Sequence, residues 1–263
     1  MKKIRQLLKK LIGRYLNADV SLLKDSIYVG STYHGYHIPS RFLDSNSVCY
    51  CVGAGIDISF DIELVKRFSA KVFIFDPMPY ALSHFKGLVN KTRENKKLTI
   101  GAGEVNYTYD ISEAELSTVK FIPMGLWDEK KLVKFYYPTQ GTYAGHSITN
   151  LQSTNEYIEA QVDTLSNVMA DLKHPRIDLL KLEIEGAEYT VIDNLVQERI
   201  DIKIILVEFD EFHHKKGKTL ATLRRIKKAS DKICRSGYTL AHSISCYKRT
   251  FIRNDIFALL TRP

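Results

Sequence analysis

The residues best able to do chemistry in this 263-residue chain lie in VCYCVGAGIDISFD at 48–61 and KVFIFDPMP at 71–79. A β-branched run breaks into a Gly-x-Gly turn of Gly53, Ala54 and Gly55, and a second run ends on Asp76, about 20 residues later and just before Pro77. Two missing Cβ atoms let the backbone turn sharply and approach a ligand, and the helix that follows offers free N–H groups at its start. A carboxylate at Asp76 can accept hydrogen bonds from both hydroxyls of a ribose. Gly-x-Gly alone suits any tight strand-to-helix turn, but the correctly spaced acid points to a nucleotide-binding site.

A second cluster is IDLLKLEIEGAEYTVIDNLV at 177–196. Its apolar run ends in Glu183 and Glu185 and passes through Gly186 into a helix carrying Glu188. If the strand continues to Glu185, the two acids share a face on the rim where Asp76 also sits. Glu188 reads as a first-turn acid favoured by the helix dipole. Two acids closing a greasy strand are harder to dismiss, because burying charge without a task is costly.

Proton acceptors are available nearby. His146 lies in the polar segment 139–155, His213 and His214 follow the run IKIILVEFD, and Glu185 is a fourth candidate. Tyr33, His34, Tyr36 and His37 in STYHGYHIPS at 31–40 could line an acceptor pocket or simply pack on the domain. Glu183, Glu185, Asp210 and a histidine are donors that suit a divalent metal, but their spacing does not establish a site and no metal is assigned.

These groups need a scaffold that brings strand ends together. The expected order is strand 48–52, a helix around 58–68, strand 71–75, a helix around 79–90, and strands near 119–124 and 132–137. A loop over 139–155 is followed by a helix near 164–172, strand 177–182, helix 186–197 and strand 202–208. A basic helix at 217–235 and two closing strands complete the chain, while 17–47 reads as polar and aromatic loop. This rhythm predicts an α/β fold with a mostly parallel sheet, helices on both faces, and ligands at the carboxyl ends of its strands. Two regions are expected: a basic helix with a cap over 1–47, and a main domain over 48–263.

With 44% hydrophobic and 26% charged residues, disordered and fibrous classes are excluded. The four cysteines form no Cys-x-x-Cys pair, so a cytoplasmic setting is expected, and no apolar run approaches the roughly 20 residues of a membrane span. The net charge of +8 is uneven. Lys2, Lys3, Arg5, Lys9, Lys10 and Arg14 interleave with apolar residues at helical spacing, so residues 1–16 could rest on an anionic membrane or pack on the domain. The basic residues of 215–235 read as a solvated helix face.

The ordered motifs VGAGIDISFD, FDPMP, FIPMGLWDEKKLVKFYYP, IDLLKLEIEGAE and IILVEFDEFH resemble the FkbM family of S-adenosylmethionine-dependent methyltransferases, over about Val48 to Asp210. The resemblance implies a Rossmann-like class I methyltransferase fold, with a seven-stranded sheet whose final strand is antiparallel. It also implies O-methylation of hydroxyls on sugars or natural products. By this resemblance Gly53, Ala54 and Gly55 form the turn beneath the methionine part of the cofactor, Asp76 is the ribose acid, and Gly125, Leu126 and Trp127 lie by the adenine. Glu183 and Glu185 then lie near the path of the methyl group.

The chain departs from the family at several points. Cys51 stands where an acid is usual, Gly55 where Asn is frequent, Asp57 where Gly is frequent, Glu183 where Asp is common, and Asp76 where Glu is more frequent. Asp57 is the candidate to replace the acid missing at Cys51.

The expected reaction is therefore methyl transfer from S-adenosylmethionine to a saccharide hydroxyl, on a nucleotide-linked or glycan precursor of polysaccharide or natural-product biosynthesis. An RNA methyltransferase and a nicotinamide-dependent (NAD) oxidoreductase are the alternatives. Ile58 at the third fingerprint position fits the nicotinamide reading poorly. The basic residues flank the core rather than interleave with aromatic strand ends, so nucleic acid is not the expected partner.

Overall fold

The computed structural model describes residues 13, 15–102, 105–139, 145–213 and 219–261. The basic segment at the N-terminus, His214 and the lysines at 215, 216 and 218 fall outside them, apart from the short stretch that begins at Gly13. In chain order the strands are β1 (Val20–Ser21), β2 (Ser26–Val29), β3 (Tyr36–Pro39), β4 (Val48–Val52), β5 (Lys71–Phe75), β6 (Leu98–Ala102), β7 (Val105–Tyr109) and β8 (Val119–Ile122). They continue with β9 (Gly125–Leu126), β10 (Lys131–Tyr136), β11 (Tyr157–Asp163), β12 (Ile177–Leu182), β13 (Ile202–Glu208), β14 (Tyr238–Ser243) and β15 (Lys248–Arg253). The helices are α1 (Ser59–Phe68), α2 (Pro79–Arg93), α3 (Glu113–Leu116), α4 (Leu165–Leu172), α5 (Glu188–Gln197), α6 (Leu220–Arg235) and α7 (Asn254–Thr261).

The main sheet has eight strands in the order β1-β14-β15-β13-β12-β4-β5-β8. Seven were expected. The eighth is the two-residue β1, added at the edge where the Val20 amide donates to Ser243 Oγ at 3.0 Å. Strands β13, β12, β4, β5 and β8 pair in parallel, and the last strand, β15, runs antiparallel to both β13 and β14.

Alternation explains how both faces are buried. Cys49 and Cys51 of β4 enter one core cluster and Tyr50 and Val52 the other. Every residue of β12 is buried, as a parallel strand with helices on both sides requires. The order reverses between β4 and β12, and the crevice beyond their carboxyl ends is where such sheets hold ligands.

Three expectations change. Residues 26–39 are not loop but the β2–β3 hairpin, and Val29, Tyr36 and Ile38 join the core. The strand expected near 132–137 exists as β10, but it belongs to a separate sheet in the order β10-β11-β9. A further hairpin, β6–β7, packs beside α1 and α2. Among the described residues no helix is long and apolar enough to cross a membrane.

Candidate functional site

The Gly turn is locked from both sides. Gly53 has φ +89°, and a Cβ there would lie 1.8 Å from the Glu183 carbonyl oxygen, so only glycine lets the end of β4 press against the end of β12. Gly55 also has positive φ, but open space lies beside its Cα. On the other side, Asp76 Oδ2 accepts from the Ala54 and Gly55 amides at 2.9 Å each, and Oδ1 accepts from Met78 N at 2.8 Å. Burial raises its pKa and the three amides oppose that rise.

Asp57 does not replace an acid at position 51. Its carboxylate accepts from Ser31 Oγ at 2.7 Å and from Ser59 N at 2.9 Å, which ties the β2–β3 turn to the start of α1. The carboxyl group beside the buried Cys51 thiol belongs to Asp61 of α1, and burial raises the pKa of both groups.

The end of β12 carries a buried charge network. Lys181 is fully buried and its Nζ lies 2.7 Å from Glu183 Oε2. Lys248 of β15 adds a second cation, 3.6 Å from Glu183 Oε1 and 2.8 Å from Glu208 Oε2. Burial alone would raise the Glu183 pKa, but Lys181 and then Lys248 hold it well below the usual carboxylate range. His34, from the β2–β3 turn, places Nδ1 3.2 Å from Glu183 Oε2.

The strand stops at Leu182, so Glu183 and Glu185 do not share a strand face. Glu185 takes φ +54°, its amide donates to Asp210 Oδ2 at 3.0 Å, and its carbonyl accepts from Ser147 Oγ at 2.6 Å. Burial and then the Glu185 charge push the Asp210 carboxyl well above its usual range. Glu188 is structural, as its place in the first turn suggested. Its Oε1 accepts from Ile184 N at 2.9 Å and Gly186 N at 3.2 Å.

These groups surround one cavity of about 860 Å³. Gly53, Ala54, Gly55, Asp57, Asp76 and Pro77 form one wall, and Gly125 and Leu126 close it with Phe75, Met78 and Phe135. Glu183, Glu185, Glu208, Asp210 and His146 form the polar end, together with Tyr33 and His34. His146 lies against the rings of Tyr80 and Tyr137, and burial lowers its pKa, so it is a neutral imidazole near pH 7.

Trp127 does not line the cavity. It packs on the core while its amide donates to the Asp163 carbonyl at 2.9 Å. His213 ends a 3-10 turn over Asp210–His213; its side chain, like all of His214, is outside the described residues. Among the described residues, no group of three or more His, Cys, Asp or Glu is placed to hold a metal ion. Sequence reasoning underrated His34 and missed Lys181 and Lys248. Lys181 stands two residues before Glu183, a same-face spacing that could have signalled the pair, whereas Lys248 reaches Glu183 only through the pairing of β15 with β13, and His34 only through the packing of the hairpin.

The cavity combines a ribose-compatible Gly turn and acid, an apolar slot, and an anionic end. Against known families, the model of the methyltransferase FkbM domain matches residues 51–238. No curated protein matches. Among solved structures, a methyltransferase FkbM from Methylobacillus flagellatus KT is similar with a TM-score of 0.42 and 12% identity, over 81% of this chain and 44% of that one. The chain thus spans less than half the length of that protein.

Proposed function

Because this chain belongs to the methyltransferase FkbM domain family, we propose that it is an S-adenosylmethionine-dependent O-methyltransferase acting on a saccharide hydroxyl, on a nucleotide-linked or glycan precursor. The observation that carries this reading is the convergence of the Asp76-locked Gly turn and the Glu185–Asp210–His146 rim on one cavity. Its volume lies within the about 300–1,000 Å³ of small-molecule sites.

The residues fit the cofactor. A carboxylate offers about four acceptor sites, and three of those at Asp76 take main-chain amides, which leaves one for a ribose hydroxyl rather than the two bonds expected from the sequence. Open space at Gly55 admits the ligand beside the turn. Phe75, Met78, Leu126 and Phe135 supply apolar surface for a flat base. When bound, S-adenosylmethionine supplies an electrophilic methyl group on a positively charged sulfur.

The acidic end of the cavity favours such a cation, and walls that fix the acceptor relative to it contribute through alignment, worth roughly 7–11 kcal/mol in well-oriented reactions. Tyr33 at the rim, with Gln152 and Glu185, provides the aromatic face and hydrogen-bonding groups a sugar requires. Several cations on the basic α6 helix are already paired, Lys227 with Asp231 and Arg225 with Glu211, so that face offers less to a nucleic acid than its count of basic residues implies.

Calorimetry with S-adenosylmethionine, followed by a mass screen of nucleotide-sugars for gain of one methyl group, tests the proposal. Saturable binding and a methylated sugar are expected. Binding of NAD alone, or methylation of RNA and of no sugar, would overturn it.

A further inference from the structure

We propose that His34 is the catalytic base of this reaction, taking the proton from the acceptor hydroxyl while Glu183 holds its imidazole in the productive tautomer. This rests on the methyl-transfer reading above. His34 lies outside the residues matched by the family model and comes from the hairpin that caps the cavity.

The geometry is that of a base oriented by a third group. Glu183 is bracketed by Lys181 at 2.7 Å and Lys248 at 3.6 Å, so its carboxylate stays charged and can only accept. At 3.2 Å from that carboxylate, Nδ1 of His34 must therefore carry the proton. Neutral imidazole then keeps its lone pair on Nε2, which makes no hydrogen bond with any described residue, and the ring borders the cavity. A carboxylate, an imidazole and a reacting hydroxyl in this order are the arrangement by which proton acceptors are positioned in acyl transfer.

The hairpin is fixed for the task. Ser31 Oγ accepts from the His34 amide at 3.1 Å and donates to Asp57, and Lys248 Nζ donates to the Tyr33 carbonyl at 3.0 Å. The charged and titratable groups facing the ring are Glu183 with Lys181 and Lys248 behind it, Glu208 beyond Lys248, and the Tyr33 ring at 4.6 Å.

His146, the other cavity imidazole, lacks this arrangement. Its Nδ1 is buried with no hydrogen bond to any described residue and its ring is wedged between Tyr80 and Tyr137, which suits a wall.

In the step itself the acceptor oxygen forms a bond to the methyl carbon as the bond from that carbon to sulfur breaks. The hydroxyl proton passes to His34 Nε2. The side chain is 32% exposed, so the proton can then leave to solvent.

His34→Gln is the decisive variant, because Glu183→Gln would strand Lys181 without its counter-charge. Calorimetry should give both wild type and His34→Gln the same affinity for S-adenosylmethionine. On the nucleotide-sugar that wild type methylates, kcat should fall about 100- to 10,000-fold. Nitrogen-detected NMR of the wild type should show His34 protonated on Nδ1. Wild-type kcat in His34→Gln, or a proton found on Nε2 in the wild type, would overturn the assignment. A wild type that binds no S-adenosylmethionine would overturn the base role together with the cofactor reading, and calorimetry tells this from failure of the base alone.

Discussion

Gly53 and Glu183 are pressed together so closely that a Cβ on Gly53 would lie 1.8 Å from the Glu183 carbonyl oxygen. The contact joins the turn after β4 to the end of β12 at the point where the sheet order reverses. Gly53→Ala must displace backbone on one side and should cost several kcal/mol, with loss of cofactor binding. Gly55→Ala meets no atom within 4 Å and pays only for its φ of +52°, about 1–2 kcal/mol. Gly55→Asn should cost less still, since Asn adopts that conformation more readily. Urea midpoints of the three variants check this ranking, and equal losses at both glycines would refute it.

Asp76 accepts three main-chain amides, so Asp76→Ala should do more than remove a ribose contact. Here the Ala54 and Met78 amides are left without an acceptor, at about 1–3 kcal/mol for each group that water cannot reach. Both urea stability and affinity for S-adenosylmethionine should fall. A variant with full stability would show that the turn does not depend on this carboxylate.

Glu188 is pushed up to about 8 by burial, from an ordinary 4.5. The folded state keeps a proton that the unfolded chain releases above 4.5. Stability is therefore lost as pH rises from about 4.5 towards 8, and the loss levels off beyond that. Glu188→Gln retains an acceptor for the Ile184 and Gly186 amides and carries no titration, so it should gain on wild type as pH rises. Glu188→Ala strands both amides and should lose about 1–3 kcal/mol at every pH. Urea unfolding of the three proteins from acid to alkaline pH separates these outcomes, and a constant Glu188→Gln difference would exclude the titration.

Local chemistry explains what the sequence revealed. The Gly turn, the acid 21 residues beyond Gly55 and the buried β12 each write their role into adjacent residues, so the α/β frame and one wall of the cavity were legible. The β2–β3 hairpin was not, because each of its strands is only four residues long and they flank the polar, aromatic turn that reads as loop. Lys248 could not be placed at Glu183 without knowing that β15 inserts beside β13, whereas Lys181, two residues before Glu183, was open to a local reading. Whether Glu185 shares a strand face with Glu183 is left open by the sequence, and the answer lies in a strand that stops at Leu182 and a positive φ at Glu185, which a non-glycine residue does not announce.

His37 of the hairpin stacks on His242 of β14, with ring centroids 4.3 Å apart and planes at 27°. Burial lowers the pKa of both rings, and His37 lowers that of His242 further, while His37 Nδ1 is buried with no hydrogen bond to any described residue. The unfolded chain, with ordinary values near 6.5, takes up protons that the folded pair refuses. This contribution is fully present above about pH 6.5, falls as pH drops towards the folded values, and is constant below them; each ring adds at most about 1.4 kcal/mol per pH unit. His242→Gln removes one of the two titrations, so its urea midpoint should fall less than that of wild type between neutral and mildly acid pH. The hairpin carries His34, so acid loosening of this stack should also weaken the cap of the cavity, read as faster amide exchange at Tyr36 and Ile38. Parallel stability curves for the two proteins would rule the pair out as the acid-sensitive contact.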